Sequence, residues 1–347
     1  MTSRGPSSAL TSFVVGSRYM PVFLALIVLI VVASIWAPET LGNAGLSAIA
    51  IFGTYLAITA LGQMLVIMTG GIDLSVPGVF TLGAIVMVGV GRQDDARIGI
   101  AVATALGVAA LVGLVNGLLI GGLKLNALIV TLAVGQVVTG LVNRYHKTFA
   151  IQSSVPKALA EWFTERTFGV PRVFWIGVAI TFLLVFAFRF TTIGRKFQAV
   201  GANPTAALVN GLRVNINQIA AYVLASVLSA TAGVLISALL RNPGVTIGAP
   251  YLLGPIAAVV IGGASLTGGL ASPFSTWSAA FFLAGLNQMM RVMGLPTALQ
   301  FVVFGVVIIG GMLVSGDRII KAVERLLRER RRDRRRGTPT ADAEAPA

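Results

Sequence analysis

"MTGGIDLSVPG" (68–78) joins two apolar runs, 44–69 and 75–91, and carries one carboxylate, Asp73. A charge at membrane depth is costly and needs partners. The stretch reads as a break between two membrane spans. Gly70 and Gly71 end one helix, and Pro77 fits the first turn of the next, where its missing N–H has no bond to lose. Asp73 or Ser75 would cap that second helix, at the positive end of its dipole. Two other roles stay open for Asp73: lining an inner gate or meeting a neighbouring subunit, and relaying a proton.

Comparable runs fill most of the chain, at about 20–37, 98–122, 126–142, 174–190, 216–239, 252–267, 273–291 and 297–315. The 347 residues are 56% hydrophobic and 11% charged, with mean hydropathy +0.89. Soluble domains carry about 25% charged residues, so this chain lacks the polar surface to face water all round. The expected fold is an all-α polytopic membrane protein of about ten transmembrane helices, each run suited to a hydrocarbon core of about 30 Å.

Several functions are excluded by absence. There is no cysteine and one histidine, His146, so no thiolate or histidine metal cluster is available, and the expected metal set is none. An intramembrane enzyme needs a nucleophile–base pair in the spans, and none is visible, so no catalytic residue is expected. A secondary transporter needs ionisable residues along the spans, and only Asp73 qualifies.

The formal charge of +14 is concentrated in "RIIKAVERLLRERRRDRRR" (318–336), with ten Lys/Arg against three Asp/Glu. A basic block after the last span is a positive-inside signal and a contact for anionic membrane lipid. No aromatic interleaving or reading module points to nucleic acid. The chain divides into a leader (1–19), a membrane-spanning region (20–317) and a tail (318–347). An even span count puts both termini on the cytoplasmic side of a bacterial inner membrane. A long outer loop, 143–173, holds Trp162.

Two segments echo each other: "VIMTGGIDLSVPGVF" (66–80) and "VIGGASLTGGLASPF" (260–274). The second supplies a glycine turn of Gly262, Gly263, Gly268 and Gly269. Paired interruptions in two halves mark a duplicated transporter with its pathway between the repeats. A pathway should be weakly adhesive, which favours amides; Asn116, Gln136, Asn287 and Gln288 are candidates. Hydrogen bonding between helices accounts for each of them equally well.

The segment 189–218 is too polar to span. Arg195 and Lys196 sit at headgroup level, Asn203 caps a short helix that starts at Pro204, and Gly211 stops it. The helix is expected to expose Ala206 and Ala207. An ordinary amphipathic connector would look the same on residue chemistry alone.

"TTIGRKFQAVGANPTAALVNGLRV", followed by "YVLASVLSATAGVL" and "IAAVVIGGASLTGG", resembles the ribose-type family of ABC-importer permeases. "GGIDLS" and "NGLLIGGLKLNALIVTL" (116–132) belong to the same pattern, and the likeness runs from about residue 20 to 320. It implies a type II-like permease subunit working with a second permease copy or a paralogue. An extracytoplasmic solute-binding protein would deliver a monosaccharide or polyol, and a cytoplasmic ABC ATPase would drive the cycle. In that family the loop matching 201–214 is the coupling helix, so Arg195, Gly201, Asn203, Ala206, Ala207 and Gly211 would form the ATPase-coupling loop (about 191–215). The chain contains no G-x-x-x-x-G-K-[ST], so ATP and Mg would be held by the partner and no cofactor by this chain. Branched-chain amino-acid permeases are the nearest alternative. The family's acidic pair after the tyrosine matching Tyr251 is absent here, where Leu252–Pro255 carry no charge, and its proline pair before "IVTL" is Asn126–Ala127.

Overall fold

The computed structural model describes residues 19–315. The expected leader up to residue 18 and the tail 318–347 lie outside the described residues. Thirteen helices are described: α1 Met20–Trp36, α2 Asn43–Met68, α3 Val76–Gly91, α4 Ile98–Gly117, α5 Ala127–Tyr145, α6 Lys157–Thr164, α7 Arg172–Phe190, α8 Thr192–Ala202, α9 Pro204–Val209, α10 Val214–Leu240, α11 Gly254–Ile261, α12 Pro273–Val292 and α13 Thr297–Ser315. A single two-residue hairpin, Arg166–Thr167 with Val170–Pro171, is the described sheet. The fold is all-α, as the composition implied.

Among the described residues, five stretches are long and apolar enough to cross a membrane: Asn43–Met68, Asp95–Gly122, Ala127–Ala150, Arg172–Phe190 and Val214–Leu240. All ten expected spans contain a helix, but one expectation needs correction. The run 252–267 is not a continuous span. Its helix α11 covers only Gly254–Ile261, because Gly262 and Gly263 stop it, and 262–272 form an irregular turn. The loop expected over 143–173 begins later, since α5 continues through a π-turn, His146–Ala150.

The core is built on α2 and α10. Every residue of α2 from Gly53 to Met68 is buried. Its threonine hydroxyls return to their own helix: Thr54 Oγ1 donates to the Ala50 carbonyl and Thr59 Oγ1 to the Tyr55 carbonyl, both at 2.6 Å. That keeps polar groups satisfied where water is absent. α10 packs against α2, α3 and α4. With α3 the approach is backbone to backbone: a Cβ on Gly83 would overlap the Ala230 carbonyl, and one on Gly233 the Phe80 carbonyl. Small residues allow this contact in lipid, where dispersion and not water drives helix association.

The connection from α10 to α11 runs inward. From the end of α10, where the Arg241 carbonyl accepts from Val155 N at 2.9 Å, residues 242–248 descend along α3 until Gly248 N donates to Thr81 Oγ1 at 3.2 Å. Tyr251 then stacks on Phe80, with ring centroids 4.2 Å apart. Non-helical backbone at this depth survives only under protein cover.

Candidate functional site: the paired glycine breaks

α2 and α11 end alike. Gly70 (φ 85°) and Gly263 (φ 84°) take the left-handed conformation. At the first, Gly70 N donates to the Ile67 carbonyl at 2.9 Å and Gly71 N to the Val66 carbonyl at 3.1 Å. At the second, Gly263 N donates to the Val260 carbonyl at 2.9 Å and Ala264 N to the Val259 carbonyl at 3.1 Å. Each is a Schellman-type stop that only glycine adopts without strain. Each is followed by a helix with proline at its start, Pro77 in α3 and Pro273 in α12. The geometry therefore pairs Gly70 with Gly263, one residue out of register with the sequence echo, and the second turn is longer.

After the first stop the chain turns back into the core. Residues 71–75 form neither helix nor strand, and Asp73 lies beside Gln63, five residues before the end of α2 and so about 7 Å inside it. Asp73 thus lies between the end of α2 and the start of α3, as expected, but it is buried, at 1% exposed. With its amide turned to suit its neighbours, Gln63 Nε2 donates to the Asp73 carbonyl and Gln63 Oε1 accepts from Asp73 N, both at 3.1 Å. Leu74 N donates to Thr131 Oγ1 of α5 at 3.0 Å. Ser75 donates twice to Asp73 Oδ1, from N at 2.8 Å and from Oγ at 2.6 Å. Side chains of α2 and α5 thus replace the partners that a helix would have supplied.

Asp73 does not cap α3 in the usual sense. Ser75 occupies the N-cap without a side-chain cap bond, and Asp73 binds the N-cap residue itself. Asn116 of α4 joins the group, its Nδ2 donating to Ser75 Oγ at 3.0 Å, just before the π-turn Leu118–Gly122. Three buried oxygens here have no partner: Asp73 Oδ2, Asn116 Oδ1 and Tyr222 Oη. Tyr222 of α10 lies so close to Gly71 that a Cβ on Gly71 would strike its hydroxyl. Beside it opens a cleft of about 230 Å³, lined by Thr69, Gly70, Gly71, Lys124, Gln218 and Tyr222.

Asp73→Ala should leave Ser75 N–H unpaired and cost about 1–3 kcal/mol of stability. Asp73→Asn keeps the accepting oxygen and adds a donor among unpartnered oxygens, so thermal stability should stay near wild type. A melting temperature that falls as far as in Asp73→Ala would mean that the charge itself, not the accepting oxygen, holds the turn.

The segment between α7 and α10 forms two helices, of which α8 had no counterpart in the sequence reading. Thr191 Oγ1 accepts from Ile193 N at 3.2 Å to start it, and Gly194, Phe197, Val200 and Gly201 form its buried face. That spacing of small and apolar residues was a legible signal. α9 starts as expected: Asn203 Oδ1 accepts from Ala206 N at 2.9 Å, with Pro204 in the first turn. It also stops as expected, at Gly211 with φ 78°. Ala207, expected to be exposed, is buried against Val200 and Val214, because its side of α9 closes onto α8 and α10. Arg195, Asn203 and Ala206 are exposed, together with Leu208 and Val209.

α8 meets both glycine breaks at one point. A Cβ on Gly201 would overlap the Met68 carbonyl oxygen at the end of α2 and would lie 2.6 Å from Gly269 N. Gly269 N itself donates to that Met68 carbonyl at 2.9 Å, and a Cβ on Gly268 would come 2.7 Å from the Gly201 carbonyl. The other pathway candidates are not part of this assembly. Gln136 is exposed on α5, and Asn287 and Gln288 are half-buried near the far end of α12. Gln63, Thr131, Lys124 and Tyr222 are the site residues the sequence reading missed. A lone amide inside the otherwise apolar second half of α2 was the available clue to Gln63.

The chain is thus an all-α membrane protein with a buried polar break between two spans, one interrupted span and a cleft beside the first break. Residues 45–312 match the family described as branched-chain amino acid transport system / permease component, and the chain belongs to that family. Ribose import permease protein RbsC of Escherichia coli K12 is 34% identical over 300 residues, covering 85% of this chain and 92% of that one. The Bacillus subtilis ribose import permease is 33% identical over 307 residues, covering 84% and 91%. The L-arabinose ABC transporter permease protein AraH of Azospirillum brasilense is 29% identical over 295 residues, covering 84% and 86%. No solved structure matches the chain.

Proposed function

We propose that this chain is the membrane subunit of a binding-protein-dependent ABC importer for a monosaccharide or related polyol. It forms the translocation path with a second copy or a paralogue, in a bacterial inner membrane, with α8 and α9 on the cytoplasmic side. It is non-catalytic: ATP and Mg are bound and turned over in a partner ATPase. The observation that carries this reading is the contact of Gly201 with Met68 and Gly269. A helix outside the spans that touches both breaks at one point is placed to move them together when a docked partner moves it. The relatives that import ribose, arabinose and fructose favour a sugar as cargo. The family's own description favours the second reading, a branched-chain amino acid.

The two are separated by ATPase activity of the purified complex with binding proteins loaded with ribose, arabinose, fructose or leucine. Stimulation by a sugar-loaded protein is expected; stimulation by the leucine-loaded one alone overturns the sugar assignment. The docking face is tested separately. Leu208 and Val209 are 65% and 83% exposed, an apolar tip on a polar segment. Val209→Arg should leave expression intact and reduce ATPase copurification about 30-fold, the loss of one interface anchor of about 2 kcal/mol. Unchanged copurification would move the docking face elsewhere.

A further inference from the structure

We propose that the groove between α7 and the start of α12 is a binding site for one acidic phospholipid of the leaflet on the α8 side. The groove has a volume of about 620 Å³, and its walls change character along its length. Val178, Phe182 and Val185 of α7 face Phe274 and Trp277 of α12, all apolar surface. Arg189, Gln198 and Ser272 lie at the other end, where α8 leaves α7. From Val178 to Arg189 the helix rises roughly 16 Å at 1.5 Å per residue. The groove thus offers an acyl chain a slot that ends at a cation at headgroup level.

Charge complementarity selects the headgroup. The sequence contains no Asp or Glu between residues 166 and 316. Arg189 is exposed and forms no ion pair among the described residues, its guanidinium lying 5.9 Å from the Phe190 ring centroid. Arg195 sits one turn before Gln198 on the same face of α8 and is also exposed. Two cations in a stretch, 166–316, that holds no carboxylate leave a lipid phosphate with a net negative headgroup as the matching anion. A zwitterionic lipid fits the slot equally well but brings its own cation to the same place.

The occupant would touch Ser272 and Pro273, which begin α12, and Gln198 of α8, next to the glycine junction. The site stands on the membrane-spanning fold alone and does not depend on the identity of the cargo.

The test uses the full-length chain in nanodiscs, in a variant whose only tryptophan is Trp277 (Trp36→Phe, Trp162→Phe, Trp175→Phe). Fluorescence quenching by brominated phosphatidylglycerol is compared with that by brominated phosphatidylcholine at equal mole fraction. A preference of about fivefold for phosphatidylglycerol is expected, the ratio for about 1 kcal/mol of attraction to one basic residue. Arg189→Gln should abolish the preference while leaving quenching by phosphatidylcholine unchanged. Equal quenching in the parent would reduce the groove to ordinary lipid contact and overturn the proposal. No quenching by either lipid would mean that protein, such as a second copy of the chain, covers it, and would also overturn it. Native mass spectrometry of the unmodified chain and Arg189→Gln in mixed lipid supplies the same comparison if the tryptophan variant does not fold. Retained phosphatidylglycerol should then be lost on Arg189→Gln, and equal retention counts against the site.

Discussion

Gly201→Val is expected to stop uptake while the chain still reaches the membrane. The added side chain would overlap the Met68 carbonyl oxygen and crowd Gly269 N, both backbone atoms that no rotamer change can move. α8 must then lift from the two breaks or drag them apart, and the Met68 carbonyl to Gly269 N bond at 2.9 Å goes with it. Overpacking of this kind costs about 1–3 kcal/mol, which corresponds to roughly a 5- to 150-fold loss of a coupled conformational change. ATPase activity of the assembled complex should persist but lose its response to loaded binding protein, since α9 and its exposed tip are untouched. Gly211→Ala is the control. Gly211 also has positive φ, at 78°, but nothing lies within 4 Å of its Cβ position, so the cost is about 1 kcal/mol of backbone strain without a clash. Matching losses in both variants would show that general destabilisation of the segment, not the junction, is being measured.

The spans and the Asn203 and Gly211 signals were legible because each rests on local chemistry: apolar length, a side-chain cap, a left-handed stop. The glycine echo was legible too, though its register was off by one residue, since the turn geometry follows the stop glycine and not the matched letters. The joining of the breaks was not legible. Nothing in "GRKFQAVGA" states that Gly201 will rest on a carbonyl 133 positions earlier; that depends on how α2, α8 and the 262–272 turn converge. The burial of Asp73 was not legible for a related reason. Gly70 and Gly71 announce a helix end, but the return of 71–75 into the core requires side chains from α2 and α5 to satisfy it. Ala207 was read as exposed because α9 alone is short and weakly apolar; its cover comes from Val200 and Val214.

The dependence of the first break on Gln63 gives the second large expected effect. Gln63→Met keeps the side-chain length and removes both polar ends, so no cavity opens. It unpairs the Asp73 N–H and carbonyl together, two backbone groups buried away from water. At the modest values measured for hydrogen bonds between helices in lipid, the pair contributes about 2 kcal/mol. An unsatisfied buried group costs about 1–3 kcal/mol, so the pair sets an upper figure near 6 kcal/mol. Either value is a large part of a marginal stability, and the variant should accumulate poorly and melt well below the parent in detergent. The non-helical stretch has one route of relief, which is to pull Asp73 out toward the cleft beside Tyr222, where water could reach it. That movement would also break the Ser75 bonds and the Asn116 contact. A second substitution, Asp73→Ala, should then add less to Gln63→Met than it costs alone, because the two residues hold one structure. Full additivity of the two, read as melting temperatures, would mean that Gln63 does not anchor the break. Wild-type stability of Gln63→Met would mean the same, and would leave the burial of residues 71–75 to Thr131 and the packing of α3.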